Sequence, residues 1–322
     1  MKGICGLGNV GNSCYINATL QILSQMTELN DYLINIKSLK RIQETGLVFE
    51  WIGLYKMIQE NHCSIMPNRF IQSVRHVSQH KNREEFVGNE QNDSVDYFEF
   101  MLECIHASLN HIDKNMVMRK TGCIAVDKYL KEVEKKDSSI VQKLFLTFTL
   151  NQYINPETKK NEFYKIEHEY KIGLSVPTQK NVTLYDCFME TFKEESMNGE
   201  NAWFDEKENI KKNVLKRSAL AYTPTLLCLH LKRWKTDLTK NDAFIETPLT
   251  LDISRFTIYK ESCVYELFGI VNHDGNINGG HYYSYVRRED SWFSLNDHFI
   301  QSISSDRIIH KSNYCLFYRK IK

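Results

Sequence analysis

The stretch Gly6-Leu7-Gly8-Asn9-Val10-Gly11-Asn12-Ser13-Cys14-Tyr15 places a cysteine where a helix should begin, directly after a glycine-rich run. Far downstream, Gly279-Gly280-His281-Tyr282-Tyr283 places a histidine on a turn. Only a complete fold can bring such a pair together, and a cysteine nucleophile is built in this way. The free N–H groups of a helix N-terminus favour a thiolate, so we expect a lowered thiol pKa at Cys14. The pattern predicts a cysteine hydrolase; the alternative is a small buried cysteine at a helix start.

The region around His281 predicts a β-hairpin. A loop rich in Gly, Asn and Asp precedes His281, and a turn at residues 288–291 separates two strand-like segments, 281–287 and 292–296. If these segments pair, Asn296 lies close to His281 and its side chain accepts a hydrogen bond from the ring, which fixes the tautomer. The alternative is that His281 is a polar residue at a strand end and that Asn296-Asp297 is only a turn.

Composition limits the class of protein. The 322 residues are 42% hydrophobic, enough for a large core, and 41 basic residues nearly balance 40 acidic ones. No global charge therefore favours nucleic acid or an anionic membrane surface. No apolar run reaches the roughly 18 residues that span a bilayer, and the segment before Cys14 is too short for a signal peptide. Nine irregularly spaced cysteines fit free thiols in a reducing compartment, so we expect a soluble intracellular protein, cytoplasmic or nuclear.

The chain has no repeat and no linker, which predicts a single multi-lobed domain. Apolar spacings of three and four predict helices at residues 17–26, 47–59 and 93–109, the last with Asp93 or Ser94 as its N-cap. A capping-box pattern at Thr183 opens a further helix. Alternating residues predict strands at 144–150, 162–176, 225–234, 265–273, 281–287, 292–295 and 314–319. The predicted class is α+β, with helices first and antiparallel sheet afterwards.

Six motifs resemble those of the ubiquitin-specific protease family, in the family's order from residue 6 to residue 318. The first is the cysteine box, matched from Gly6 through Asn17 and extended by Leu20-Gln21-Ile22-Leu23, and another is the histidine box at His281. The others are Gln91-Asn92-Asp93-Ser94-Val95-Asp96, Gly199-Glu200-Asn201, His230-Leu231-Lys232-Arg233-Trp234 and Tyr314-Cys315-Leu316-Phe317-Tyr318.

The resemblance implies a papain-like cysteine protease core in one domain, residues 1–322: a helical thumb (about 1–130), fingers (about 143–222) and a palm (about 223–322) of antiparallel sheet. It implies hydrolysis of the isopeptide or peptide bond after the C-terminal glycine of ubiquitin. Cys14 is then the nucleophile that forms a thioester, and His281 is the general base and then acid. Asn296 orients His281, Asp297 supports the site, and Asn9 donates to the oxyanion together with the Cys14 N–H.

The same resemblance implies a binding site for the tail of ubiquitin. The residues expected there are Gln91, Asp93, Asp96, Gly279, Gly280 and Tyr282. We expect ubiquitin and ubiquitinated proteins as partners, no nucleic acid or membrane partner, a monomer, and no cofactor.

Two departures from the family pattern concern the substrate tail and metal. Asp96 stands where the family has glutamate, one methylene longer. The two Cys-x-x-Cys pairs that bind zinc in many relatives are replaced by Asn151-Gln152-Tyr153-Ile154 and Phe204-Asp205-Glu206-Lys207. We therefore expect no zinc and fingers held by apolar packing, with candidate side chains Leu144, Phe148, Phe163, Tyr170, Phe188 and Trp203.

Other polar patterns suit a solvated surface better than a site. His76 and His80 have helical i,i+4 spacing without further ligands, which favours a surface helix over a metal site. The basic run at residues 207–217 favours a solvated face, with contact to ubiquitin as the alternative.

Two alternatives to an active deubiquitinase stay open. One is a catalytically idle ubiquitin-binding module on the same fold; the intact Cys14, His281, Asn296 and Asn9 argue against it. The other is a protease that acts on a different ubiquitin-like modifier.

Overall fold

The computed structural model describes residues 2–60, 64–111, 118–179, 181–205, 208–259, 262–276 and 279–321. Eight helices lie in these ranges: α1 (Cys14–Leu23), α2 (Thr27–Asn35), α3 (Gln43–Glu60), α4 (Asn68–His80), α5 (Ser94–Leu109), α6 (Ile124–Lys136), α7 (Ile140–Phe145) and α8 (Leu184–Thr191). Within the same ranges, no helix is both long and apolar enough to cross a membrane.

The strands of the described ranges fall mostly in the second half of the chain. They are β1 (Gly6–Leu7), β2 (Ser64–Ile65), β3 (Thr147–Ile154), β4 (Asn161–Glu169), β5 (Ile172–Ser175), β6 (Asn181–Thr183), β7 (Glu195–Met197), β8 (Trp203–Asp205), β9 (Ile210–Lys212), β10 (Val214–Tyr222), β11 (Leu226–Lys232), β12 (Phe244–Glu246), β13 (Thr250–Asp252), β14 (Val264–Asn276), β15 (Gly279–Arg288), β16 (Ser291–Asn296), β17 (Phe299–Ile303) and β18 (Asn313–Lys320). Helices first and sheet afterwards is the α+β class predicted above.

The largest sheet positions the histidine. Its strand order is β17-β16-β15-β14-β18-β11-β5, with β13 paired to β14. Strands β14 to β17 form successive antiparallel hairpins. Strand β5 is an exception to the predicted antiparallel arrangement, because it pairs in parallel with β11. The smaller pairs β1-β2 and β12-β6 are also parallel.

A second sheet, of order β4-β3-β10-β7, lies in the segment predicted above to be the fingers, with the β8-β9 hairpin as a separate pair. Its outer strand β4 is largely exposed. Such a lobe buries little apolar surface of its own, so side-chain contacts between its strands matter for its stability.

Helix α1 is the element that joins the helices to the large sheet. All ten of its residues are buried. At Gly269 of β14 a Cβ atom would lie 2.8 Å from the Ile22 Cδ1 atom, so α1 packs directly on the strand there. Phe98 of α5 and Phe317 of β18 meet across the same core, with ring centroids 5.2 Å apart. One continuous apolar core therefore holds helix α1 against the large sheet.

The helix predictions are confirmed where local chemistry sets the helix start. Asp93, and not Ser94, is the N-cap of α5, and its Oδ1 accepts from the Val95 N–H at 2.7 Å. Thr183 and Asp186 form the predicted capping box at the start of α8. Helix α1 begins at Cys14 itself, three residues before the predicted start.

The strand predicted at residues 144–150 is wrong at its start. Leu144 lies in helix α7, and strand β3 begins only at Thr147. The alternation of leucine and phenylalanine resembled a strand, but Ile140, Val141, Leu144 and Phe145 all pack into the core from one short helix. Tertiary packing therefore overrides the two-residue period here. Helices α2, α6 and α7 and strands β10 and β17 were not predicted.

The candidate residues for holding the fingers do not form one cluster. Leu144, Phe148 and Phe188 lie in three different cores. In the fingers, Phe163 stacks between Tyr153 and Trp203, with ring centroids 4.1 and 4.2 Å away. Tyr153 and the strand of Trp203 come from the two segments where the zinc-binding pairs were missing, so an aromatic stack occupies that part of the fold.

The two histidines lie on a surface helix, as predicted, whereas the alternative of ubiquitin contact at the basic run stays open. His76 and His80 are exposed on α4. In the basic run, Lys212 pairs with Asp205 at 2.7 Å, and Arg217 pairs with Glu194. Lys207, at the start of the run, lies outside the described residues.

Candidate active site

The loop before Cys14 is held at two points. The Leu7 N–H donates to the main-chain oxygen of Asp297 at 2.9 Å. The Asn9 side-chain oxygen accepts from the Ser13 N–H, also at 2.9 Å. These bonds tie the loop to the turn after β16 and place Cys14 as the first residue of α1.

The Cys14 thiol faces strand β15. Its side chain is buried, and burial raises the pKa of the Cys14 thiol above its ordinary value. The Tyr282 N–H hydrogen-bonds the sulfur and opposes this rise, as do the N–H groups of Cys14 and Tyr15, whereas the charge of Asp297 adds to it. The lowered pKa expected from the helix N-terminus is therefore wrong for the free protein: the N–H groups act in the expected direction, but loss of water outweighs them. At neutral pH the resting group is a thiol, and a base must remove its proton.

His281 and Asn296 meet through the predicted hairpin. Strand β15 pairs with β16, and Ser284 lies opposite Leu295. This register puts His281 and Asn296 on one face as diagonal neighbours across the two strands. The His281 Nε2 and Asn296 Oδ1 atoms are 2.6 Å apart.

The bond to Asn296 decides which ring nitrogen can act as a base. An amide oxygen only accepts, so Nε2 of His281 carries the proton and Nδ1 has the free lone pair. Among the described residues, no hydrogen bond joins the His281 ring to the Cys14 thiol. The thiol instead contacts the N–H of Tyr282, the residue that follows His281.

Asp297 connects the β15–β16 hairpin to the loop before Cys14. Its two carboxylate oxygens accept from Asn9 Nδ2 at 3.0 Å and from Asn17 Nδ2 at 2.8 Å. Asp297 adopts a positive φ of 49°, a conformation that asparagine and aspartate tolerate better than most residues. Asn17 was quoted only as the end of the first motif. Its position one helical turn after Cys14, on the same face, was the only sequence feature that could have identified it.

A groove of about 600 Å³ runs beside Tyr282, between the 90–93 loop and the β14–β15 hairpin. Five of the six residues expected to bind substrate line it: Gln91, Asp93, Gly279, Gly280 and Tyr282. The residues that sequence reasoning missed are Asn12, Glu90, Asn92, Trp234, His273 and Asn276. Residues 277 and 278, in the hairpin loop, lie outside the described residues.

Gln91 bridges the groove. Its side-chain oxygen accepts from the Gly280 N–H at 2.7 Å. A Cβ atom at Gly280 would lie 2.3 Å from His273 Nε2 and 2.6 Å from the Asp274 main-chain oxygen. Only glycine lets the strand pass this close to its neighbour, which keeps the groove open beside Tyr282.

The two aspartates of the third motif differ in their surroundings. Asp93 lines the groove, but its carboxylate also caps α5 and accepts a hydrogen bond from the Tyr314 hydroxyl. Asp96 does not line the groove. Burial, followed by the charge of Asp93, raises the pKa of Asp96, while Lys171 acts in the opposite direction.

Cys14 is one of eight free cysteines among the described residues, and Cys63 lies outside them. Cys5 is fully buried, with its sulfur against the Gly6 main-chain oxygen. Within the described part of the chain, no group of three or more Cys, His, Asp or Glu side chains is arranged to hold a metal ion.

Known proteins with similar sequences are ubiquitin carboxyl-terminal hydrolases. The bovine ubiquitin carboxyl-terminal hydrolase 2 is 27% identical over 349 residues, which cover 98% of this chain and 55% of the bovine protein. The chain thus spans about half the length of that relative. A probable ubiquitin carboxyl-terminal hydrolase of Acanthamoeba polyphaga mimivirus is 22% identical, and 90% of its length is covered.

Solved structures show the same fold. The SAGA DUB module of Ubp8 with Sgf11, Sus1 and Sgf73, bound to monoubiquitin, matches with a TM-score of 0.80 and 21% identity. The match covers 100% of this chain and 70% of the other. A second structure of that module, bound to ubiquitin aldehyde, has the same TM-score and 22% identity. The model of one family, described as ubiquitin carboxyl-terminal hydrolase, matches residues 5–318, and the chain belongs to that family.

Proposed function

We propose that this chain is a deubiquitinase that hydrolyses the isopeptide or peptide bond after the C-terminal glycine of ubiquitin. The observation that carries the proposal is the placement of the Cys14 thiol at the start of α1, against the Tyr282 N–H and beside the His281–Asn296 pair. Family membership supports it, as do the related Ubp8 structures bound to ubiquitin and to ubiquitin aldehyde.

In the first half of the proposed reaction, His281 Nδ1 takes the proton of Cys14, and the sulfur attacks the carbonyl carbon of the last glycine. Asn296 holds the ring through Nε2, so that Nδ1 is the nitrogen presented as base. The imidazolium then gives its proton to the departing amine as the C–N bond breaks. The product is a thioester between Cys14 and ubiquitin.

In the second half, His281 removes a proton from water, and the resulting nucleophile attacks the thioester carbonyl. The C–S bond breaks, ubiquitin leaves with a free carboxylate, and the sulfur recovers its proton. In both halves an oxyanion forms, which we assign to the N–H of Cys14 and one amide hydrogen of Asn9. The other amide hydrogen of Asn9 is held by Asp297, which fixes the direction of the donor.

The groove is proposed to hold the extended tail of ubiquitin. Glu90 and Asp93 supply acidic walls for a basic tail, and Gly279 and Gly280 leave room for its backbone. The Gly280 N–H is the natural donor to a tail carbonyl, but Gln91 occupies it in the free protein. Tail binding therefore replaces the Gln91–Gly280 bond. Asp96, outside the groove lining, is proposed to act on the tail through its charge.

The thumb, fingers and palm boundaries given above are proposed as lobes of one domain. The continuous core shared by α1, α5, α7 and the large sheet supports this organisation. We infer an intracellular protein, cytoplasmic or nuclear, from its free thiols, and the absence of nucleic acid and membrane partners from its balanced charge. We also propose that it is a monomer.

One observation favours the idle ubiquitin-binding module as a second candidate. The resting thiol has a raised pKa and no hydrogen bond to the His281 ring. Covalent reaction with a ubiquitin that carries a C-terminal electrophile separates the two candidates, because a module that only binds forms no adduct.

We expect the adduct to form on Cys14 and not on Cys5. Cys5 is fully buried, and its sulfur lies against the Gly6 main-chain oxygen. Peptide mapping by mass spectrometry locates the adduct, and Cys14→Ala is the matched control. The same electrophile on other ubiquitin-like modifiers tests whether the chain is instead a protease for one of those modifiers. An adduct on Cys5, or none with any modifier, contradicts the proposed function.

A further inference from the structure

A small basic pocket lies outside the substrate groove and shares no lining residue with it. Its walls come from the segment before α6, the end of β10, the segment after β13, the start of β14 and the end of β18. The lining residues are Arg119, Lys120, Thr121, Tyr222, Thr223, Thr257, Tyr259, Ser262, Cys263 and Lys320. The described residues of the lining supply three basic side chains, six hydroxyls and no carboxylate.

The two lysines of the pocket, Lys120 and Lys320, are not paired with carboxylates of the described residues. Lys320 Nζ donates to Thr223 Oγ1 at 3.0 Å. Two carboxylates lie near the pocket but outside its lining: Asp127 accepts from the N–H and hydroxyl of Thr121, and Glu134 accepts from the Met118 N–H. The pocket therefore presents positive charge to whatever enters it.

One hydroxyl of the pocket lacks a satisfied hydrogen bond. The Tyr259 oxygen is buried and makes no hydrogen bond of good geometry with any described residue, although Thr121 lies close to it. Leaving a buried hydroxyl without a partner is unfavourable, and a bound water or ion is one arrangement that satisfies such a group. Burial raises the pKa of Tyr259 to about 12, so the group is a donor at neutral pH.

The size of the pocket and the positions of its hydrogen-bond donors limit which ligands can bind. The cavity volume is about 70 Å³. Roughly 10–15 Å³ holds one water, and drug-sized ligands need roughly 300–1,000 Å³. The pocket therefore admits one ion of a few heavy atoms and excludes a nucleotide. Donors on several walls suit the four oxygens of a tetrahedral anion better than the two oxygens of a planar carboxylate.

We propose that this pocket binds a tetrahedral oxyanion of the phosphate type, held by Lys120, Lys320 and the Tyr259 hydroxyl. The anion is either free phosphate or the phosphate group of a modified side chain. Because the pocket walls come from segments far apart in the chain, an anion that bridges them stabilises the folded state.

The first test measures the melting temperature of the full chain in rising sodium phosphate, with sodium chloride at matched ionic strength as reference. Line broadening of the ³¹P resonance measures binding directly. We expect a saturable rise with phosphate and none with chloride. The double variant Lys120→Gln with Lys320→Gln should weaken the apparent affinity by at least about tenfold.

Two further variants keep the test decisive. Lys135→Gln, an exposed lysine of α6, is the matched control and should bind phosphate as the unaltered chain does. Tyr259→Phe removes one donor without charge and should weaken binding by a smaller factor. A thermal effect equal to that of chloride, or undiminished binding in the double variant, would overturn the proposal.

The source of the anion is settled by competition. A phosphoserine peptide that displaces inorganic phosphate, where the unmodified peptide does not, identifies a phosphorylated side chain as a ligand. Binding of inorganic phosphate alone identifies the free ion. Neither result depends on ubiquitin hydrolysis, so failure here and failure of the proposed enzymatic function are distinguishable.

Discussion

Replacing Asn9 by alanine separates chemistry from folding. In the free protein the Asn9 side chain accepts a long hydrogen bond from Ser13 Oγ at 3.3 Å and makes two short ones, one to Asp297 Oδ2 at 3.0 Å and one from the Ser13 N–H at 2.9 Å. Each such bond contributes about 0.5–1.5 kcal/mol net, so Asn9→Ala should lower the free energy of unfolding by about 1–3 kcal/mol. Loss of one oxyanion donor usually lowers turnover by about 10²–10³, or about 2.7–4 kcal/mol of activation free energy.

The assay uses release of a fluorogenic amine from the C-terminus of ubiquitin. We expect kcat to fall by the factor given above, because the donor acts on charge that exists only in the transition state. Affinity for ubiquitin, measured without turnover in a Cys14→Ala background, should change by less than about twofold. Urea unfolding gives the stability of each variant.

Asn17→Ala is the contrasting variant. Asn17 is 2% exposed and donates to Asp297 Oδ1 at 2.8 Å and to the Leu7 main-chain oxygen at 3.1 Å. Its loss leaves buried acceptors without partners, so it should cost more stability than Asn9→Ala, about 2–4 kcal/mol, with a smaller loss of kcat. If Asn9→Ala weakens ubiquitin binding in step with turnover, or costs no more turnover than Asn17→Ala, Asn9 is a structural residue.

Three further predictions concern pH and the fingers. The rate of Cys14 alkylation by iodoacetamide should still increase as the pH rises above 9.0, because burial raises the pKa of the thiol. A rate that is already constant below about pH 7 would reveal a resting thiolate. Burial lowers the pKa of His230 and His273 to about 4, against about 6.5 when unfolded, so the unfolding free energy should fall as pH drops between these values. His273→Asn should flatten that fall in urea unfolding at pH 7 and pH 5, and an unchanged fall contradicts the assignment. Phe163→Ala should lower the free energy of unfolding by about 2–3 kcal/mol and increase hydrogen exchange in β3 and β4. A chelator should leave the melting temperature of the unaltered chain unchanged. Finding close to one zinc per chain, lost on chelation, would contradict the expectation that no zinc is bound.

Sequence reasoning was most successful where neighbouring residues decide the structure. The N-cap of α5, the capping box at Thr183 and the pairing of His281 with Asn296 each depend on groups within a few residues or within one hairpin. In each case the donor, the acceptor and the spacing are all visible in the sequence.

Sequence reasoning failed where packing between distant parts of the chain determines the structure. Leu144 fits a strand by alternation, but its helix buries four apolar side chains in a core built from other parts of the chain. Strand β5 pairs in parallel with β11, a partner that local pattern does not identify. Asn17 gained its place in the site only because Asp297 of the distant hairpin meets it.

The pKa of Cys14 shows the same limit within the site. The helix N-terminus was visible in the sequence, and its N–H groups do lower the pKa. Burial of the thiol is a property of the folded chain, and it has the larger effect. A motif therefore identifies the nucleophile without fixing its ionisation state.

Two bonds of the resting site bear on the proposed reaction, and both involve strand β15. The Gly280 N–H is occupied by Gln91, and the Tyr282 N–H by the thiol of Cys14. In the proposed reaction, we expect a ubiquitin tail that takes the first bond to lie along the same strand as the second and to bring its last carbonyl towards the sulfur. The thiol is protonated until then, so its reactivity towards small electrophiles at neutral pH stays low. Binding of the correct substrate and activation of the nucleophile are thereby linked through one short segment, residues 280–282.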